Sequence, residues 1–242
     1  MHSFTPWTSI GTGHGRVKKH RERVELRVYP CRLAVSHANS SSRWPGTAEP
    51  NTSFEPMDRH VSILYTRSVE FRTLRRDEIE LIWTIDRREF IARMYRFQDG
   101  ELVLVAHDVD VPGWHPENVR TTTPLLYECY DRGAKFFAAF EGEQLAGISI
   151  LDTVWRGERH DLLQLEMLHV GRDHRGNGLG TRLFEQALEA ARSCGAAGLY
   201  ISATPSENTV HFYQRRGARL LSTPDAELLA KEPDDIHLEC FV

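Results

Sequence analysis

Two patterns place this 242-residue chain among the α+β proteins. Its first half carries antiparallel hairpin signals. Extended runs from Phe90 to Phe97 and from Glu101 to Ala106 flank Gln98-Asp99-Gly100, and Lys135 to Phe140 and Gln144 to Val154 flank Glu141-Gly142-Glu143. Its second half carries a β-α-β unit: a strand-like stretch Leu162 to Val170, an amphipathic helix Thr181 to Cys194, and a further extended run Leu199 to Thr204. No internal repeat is present.

Residues 1–60 are mostly small, polar and turn-forming, as in Gly11-Thr12-Gly13-His14-Gly15 and Ser36 to Pro50, and read as a disordered extension. Regular patterning begins at Val69, with a strand to Leu74. Asp77 to Ile85 spaces Ile79, Ile82, Trp83 and Ile85 as a helix with an acidic first turn. After the first hairpin, Val111 to Pro116 reads as a loop carrying Trp114 and His115. Pro124 to Tyr130 reads as a helix ending near Gly133, and Trp155 to Asp161 as a polar loop. The helix after Gly180 has one apolar stripe: Leu183, Phe184, Ala187, Leu188, Ala191 and Cys194, with Gly195 placed to stop it. Ser206 is an N-cap for a short helix. Ala218 to Ser222 and Ile236 to Phe241 read as the last strands.

Composition excludes several roles. Net charge is −4, so no bulk attraction to nucleic acid or to an anionic membrane is expected. Residues 1–60 hold nine Lys/Arg and five Asp/Glu, which leaves 21 and 29 for residues 61–242. That acidic balance suits a cationic small molecule or peptide. The cysteines Cys31, Cys129, Cys194 and Cys240 are widely spaced, with no metal-binding pattern, so free thiols and no metal are expected. No apolar run approaches a membrane span, and the first residues lack the apolar core of a signal peptide. A cytoplasmic location follows by elimination.

The most informative segment is Gly171 to Gly180, between the strand and the amphipathic helix. A glycine-rich turn opening a helix presents unpaired N–H groups and the positive end of the helix dipole to an anion. A P-loop would need Lys-Ser/Thr after its last glycine, where this chain has Thr181-Arg182. A dinucleotide site would need a different glycine spacing and an acidic residue at the end of the next strand, which finishes at Thr204 without one. Arg175, Gly178 and Gly180 instead fit Arg-x-x-Gly-x-Gly, which resembles the acetyl-coenzyme A loop of the GNAT N-acetyltransferase superfamily. Leu168-His169-Val170 before the loop, and Asn208, Phe212-Tyr213 and Gly217 after it, match that family in order and spacing. Gly171-Arg172 stands where the family commonly has x-Pro. The similarity covers roughly residues 68–242 and is sharpest over 162–217.

The resemblance implies a central twisted, mostly antiparallel sheet flanked by helices over residues 61–242, and an acetyl-coenzyme A-dependent N-acyltransferase without a metal. Because family-like sequence begins just after Met57, the preceding residues read as an artefact of start-site choice. The amides of Gly176, Asn177, Gly178, Leu179, Gly180 and Thr181 would cradle the pyrophosphate, with Arg175 beginning the motif. Leu168 and Val170 would offer main-chain groups to the pantetheine arm, and Asn208 would contact the coenzyme. Tyr213 matches the family's usual acid, because a phenol can protonate the leaving thiolate. Glu166 is the candidate base. Strand alternation puts it on the face of Leu168 and Val170, and flanking Leu165 and Met167 should raise its pKa. It could equally be a structural group bonded to a neighbouring strand, and His169 reads as structural. Trp114, His115, Tyr127 and Trp155 are candidates to line the amine pocket. The resemblance allows a homodimer and leaves the acceptor open, whether small molecule or peptide. A coenzyme-binding module that regulates without catalysing is the alternative.

Overall fold

The computed structural model describes residues 68–98 and 101–242. The expected extension over residues 1–60, the alternative start at Met57 and the turn residues Asp99-Gly100 lie outside the described residues.

The order is β1 (Val69–Thr73), a 3-10 helix (Arg76–Thr84), β2 (Glu89–Gln98), β3 (Glu101–Val111), α1 (Pro116–Asp131), β4 (Lys135–Glu141), β5 (Gln144–Arg156), β6 (Leu162–Val170), a 3-10 turn (Arg172–His174), α2 (Leu179–Ser193), β7 (Gly198–Ala203), α3 (Glu207–Gln214), β8 (Arg219–Leu220), α4 (Ala226–Lys231) and β9 (Ile236–Phe241). Seven strands form one sheet in the order β1-β4-β5-β6-β7-β9-β8, and β2 and β3 pair separately. Within the seven-stranded sheet β6 and β7 run parallel, and the other pairs are antiparallel. The mixed α+β expectation holds.

Helices cover both faces of the sheet. On one, Ile79, Ile82 and Ile85 and, from α1, Leu126 and Cys129 pack on Phe136, Ile148 and Ile150. On the other, Phe184, Ala187 and Ala191 of α2 and Val210 and Tyr213 of α3 pack on Leu163, Leu165, Leu199 and Ile201. Full burial of a side chain such as Phe184 stabilises the fold by about 1.5–3 kcal/mol.

Four local expectations are corrected. The helix after β1 is 3-10 rather than α, because its buried face repeats every third residue, Ile79, Ile82 and Ile85, which eclipse in that geometry. Strand β3 runs on to Val111 and shortens the expected loop. Helix α1 starts at Pro116, eight residues before the expected Pro124. His115 caps it, its Nδ1 accepting the Glu117 amide at 3.3 Å. Pro124 sits inside, where it withholds one helical donor. The Thr121 and Thr123 hydroxyls donate back to the Glu117 and Val119 carbonyls. Finally α4, capped by Asp225, was not foreseen.

One irregularity shapes the site. In the β5–β6 pair, Leu165 faces Leu151 and Met167 faces Ile150, so Glu166 is the extra residue of a β-bulge. Side chains Leu163 and Leu165, then Leu168 and Val170, pack towards α2. Met167 packs with the cluster of α1 and the 3-10 helix.

Candidate active site

The glycine-rich loop begins where β6 ends. Arg175 staples it. Its Nε donates to the Val170 carbonyl at 3.1 Å, its Nη2 to the Arg87 carbonyl at 3.2 Å, and its Nη1 stands 3.6 Å from Glu89. Its guanidinium is therefore spent on holding the loop against the strand end and the start of the β2–β3 hairpin. Gly176 and Gly178 have φ of +79° and +81°, and a Cβ at either would meet nothing within 4 Å. These glycines answer to backbone conformation, and the face they line is open. Gly178 is the N-cap of α2 and contributes no side-chain cap. The first helical bond, from the Arg182 amide to Gly178 oxygen, leaves the amides of Leu179, Gly180 and Thr181 as orphan donors at the positive end of a 15-residue helix. Leu179 offers only its amide, because its side chain is buried beside Leu183. The Thr181 hydroxyl accepts from Arg216, whose guanidinium also stacks 3.5 Å over the Phe212 ring. An anionic pyrophosphate fits this cradle. Asn208 is exposed in the first turn of α3. It lines a cavity of about 470 Å³ together with Arg172 and Arg175.

Beside the cradle the sheet opens. The parallel pairing of β6 with β7 ends at Leu165 and Ile201, although β6 continues to Val170. The Gly171 amide donates to Ala146 oxygen across β5 at 2.8 Å. Alternation then turns the main-chain groups of Leu168 and Val170 away from β5, into the opening. An amide-rich arm laid along that edge meets free strand positions, apart from the Val170 carbonyl that Arg175 holds.

Glu166 lies in the same strand, but the face expected for it is corrected. The bulge breaks the alternation, so Glu166 does not follow Leu168 and Val170. Gln164 Nε2 donates to its Oε2 at 2.5 Å, and the charges of Asp152, Arg156 and Arg132 act on it. Burial raises its pKa above the ordinary carboxylate value; Lys231 opposes that and Asp152 adds to it. Two acids that sequence reading passed over belong to the same neighbourhood. Burial, with Asp235 second, pushes Glu232 up to about 8. Burial pushes Asp235 up to about 6, against a hydrogen bond from Ser202 at 2.9 Å. Their only sequence signal was the acidic run after Lys231.

Tyr213 is buried between the rings of Phe184 and Phe212, and its hydroxyl has no hydrogen bond to any described residue. Burial raises its pKa above the phenol value, with Asp235 adding to the effect. It therefore carries its proton at neutral pH.

The four aromatic and histidine pocket candidates do not come together. Trp114 stands edge-on to His169 at 4.9 Å and donates to Ile85 oxygen, while His115 caps α1. Tyr127 packs between α1 and the 3-10 helix, under Arg76. Trp155 lies opposite Leu163, about 20 Å along β6 from His169 at about 3.3 Å per residue. His169 itself is partly buried, and that burial drives its pKa down to about 3.

A mixed sheet with one parallel pair that parts beside an anion cradle defines an acyltransferase of the coenzyme A-dependent class. The family comparison agrees: the acetyltransferase (GNAT) family matches residues 77–218, and the chain belongs to that family. Among solved structures, nourseothricin acetyltransferase aligns with a TM-score of 0.56 at 22% identity, over 72% of this chain and 98% of its own. A protein from Bacillus anthracis str. Ames, assigned as a streptothricin acetyltransferase and solved in complex with acetyl coenzyme A, aligns at 0.51 and 17% identity. That match covers 73% of this chain and 98% of the other. At these identities the two share the fold with this chain.

Proposed function

We propose that this acetyltransferase moves the acetyl group of acetyl-coenzyme A directly to a primary amine on a small molecule or peptide. Acetyl-coenzyme A supplies an activated thioester, whose carbon–sulfur bond breaks as the carbon–nitrogen bond of the amide forms. The chain's own residues bind, orient and move protons. The amides from Gly176 to Thr181 hold the pyrophosphate, and Asn208, which lines a cavity with Arg172 and Arg175 of the same loop, contacts the coenzyme. Leu168 and Val170 align the pantetheine arm, and a main-chain N–H on that edge polarises the carbonyl. Glu166, its pKa raised, takes a proton from the incoming ammonium. As the amide forms, Tyr213 gives its proton to the departing thiolate, and the second proton shed by the nitrogen restores the Tyr213 hydroxyl.

The observation carrying this reading is the coincidence of two features. The orphan amides at the start of α2 lie beside the strand edge exposed where β6 leaves β7. A thermal-shift titration with coenzyme A and NADH in parallel tests it. Coenzyme A at about 100 times its Kd should add about 2.7 kcal/mol of native-state stability, or roughly 5–10 °C. NADH should add none. A shift with neither would remove the loop assignment.

A further inference from the structure

Glu166 is the first residue of β6 beyond Leu165, where the parallel pairing with β7 ends. It is also the extra residue of the bulge, so the ladder to β5 does not aim its carboxylate. A chain of hydrogen bonds does. Gln164, two positions back on the same strand and only 6% exposed, donates from Nε2 to Glu166 Oε2 at 2.5 Å. Gln164 Oε1 accepts from Arg156 Nε at 2.8 Å. Arg156 is held in turn by α4: its Nη1 lies 2.9 Å from Glu227 and 3.1 Å from Asp225, the N-cap of that helix. The Asp225 amide donates to the hydroxyl of Tyr200, which is fully buried in β7.

The chain has one direction. Turning the Gln164 amide over would set its NH2 against the guanidinium and its carbonyl against the carboxylate, two repulsions in place of two hydrogen bonds. Arg156 therefore fixes which end of the amide meets Glu166. The result at Glu166 is asymmetric. Oε2 is occupied, whereas Oε1 accepts no hydrogen bond from any described residue and is not sealed in. The charged groups that face Glu166 are Arg156 and Asp152 of β5, Arg132 after α1, and Lys231 and Glu232 at the end of α4. The Cys129 thiol of α1 also faces it, and burial keeps that thiol protonated. None of these hydrogen-bonds to Glu166; Gln164 does.

We propose that Gln164 is a positioning residue for acetyl transfer: locked by Arg156, it engages Oε2 of Glu166 and so presents Oε1 of an ionised carboxylate to the ammonium of the acceptor. This rests on the acetyl-transfer reading above, with Glu166 as its base, and names the residue that holds that base. A hydrogen bond donated to a carboxylate favours its charged form, so Gln164 opposes the effect of burial on Glu166.

The test is the pH profile of kcat/KM for the full chain, followed as thiol release from acetyl-coenzyme A. One primary amine is used throughout, the fastest of a panel of alkylamines, amino alcohols and short lysine peptides. Gln164→Met keeps the length of the side chain and loses the donor. Gln164→Glu also loses the donor but keeps an acceptor for Arg156, so the contact that anchors the strand to α4 survives. In both, the acid limb, where the base gains its proton, should move up by about one pH unit or more. The Kd for coenzyme A should stay at the wild-type value. On a Glu166→Gln background, Gln164→Met should cost no further activity. A role confined to packing and to holding Arg156 predicts the wild-type limb for Gln164→Glu. That result, or a full additional loss on the Glu166→Gln background, overturns the positioning inference alone. Wild-type activity in Glu166→Gln removes the base and this inference with it. A wild-type chain without amine-dependent release overturns the acetyl-transfer reading as well.

Discussion

Gly178 separates the two tasks of the loop, holding a backbone shape and holding an anion. Its φ of +81° is left-handed, and a Cβ there would touch nothing within 4 Å. Gly178→Ala therefore costs only backbone strain, about 1–2 kcal/mol. For a domain of this size that lowers Tm by roughly 2–8 °C. Gly178→Asp meets the same strain, but its carboxylate sits at the positive end of α2, which returns about 0.3–1 kcal/mol. The aspartate variant should be at least as stable as the alanine variant. Coenzyme binding should rank them the other way. A carboxylate about 5 Å from a phosphate charge, at an effective dielectric of about 20, is repelled by about 3 kcal/mol. That is a loss of affinity of about 100-fold, against tenfold or less for alanine. Differential scanning calorimetry gives the stabilities and isothermal titration with coenzyme A the affinities. Equal coenzyme affinities for wild type, alanine and aspartate would refute the argument that this loop holds the pyrophosphate.

Three further outcomes are expected. Tyr213→Phe should lower turnover by about 100-fold or more, with coenzyme affinity and Tm close to wild type, because the hydroxyl has no partner to lose; unchanged turnover in a steady-state assay would remove Tyr213 from the mechanism. Gly198→Ala should destabilise by about 3 kcal/mol or more, since a Cβ there would lie 2.1 Å from Cys240 oxygen and force β7 and β9 apart; denaturant unfolding within 1 kcal/mol of wild type would contradict the β7–β9 packing. In the native protein Glu232 keeps its proton up to about pH 8, whereas the unfolded chain releases it near 4.5, so its contribution to stability falls as pH rises through that window. The Tm of Glu232→Gln relative to wild type should therefore climb from pH 5 to pH 8; a flat difference would show that Glu232 titrates normally.

The parts of this protein legible in its sequence are those with local causes. Strand β6 runs from Leu162 to Val170 as its apolar run indicates, α2 follows its stripe to within a few residues, and Ser206 caps α3 through the Thr209 amide. The loop glycines were readable because left-handed backbone at a helix start leaves a residue-type signature. Long-range causes were not readable. The bulge at Glu166 exists only in the register of β6 against β5, so strand alternation assigned that carboxylate to the wrong face. Glu232 and Asp235 join Glu166 only because α4 and β9 return the chain across the sheet. Pro124 misled in the opposite sense. Proline often marks a helix start, yet here His115 and Pro116 begin the helix and Pro124 is tolerated inside it. The extension of β3 to Val111 had a signal that was passed over, the alternation of Val109 and Val111 with Asp108 and Asp110.

The most direct test of the account is release of free coenzyme A thiol from acetyl-coenzyme A, measured with and without each of a panel of primary amines. The account predicts release that depends on the amine, acetylated amine by mass spectrometry in equal amount, intersecting double-reciprocal lines and no acetylated enzyme. Tight coenzyme A binding with no amine-dependent thiol release across a panel of primary amines would contradict it, and would leave a protein that binds the coenzyme without using it.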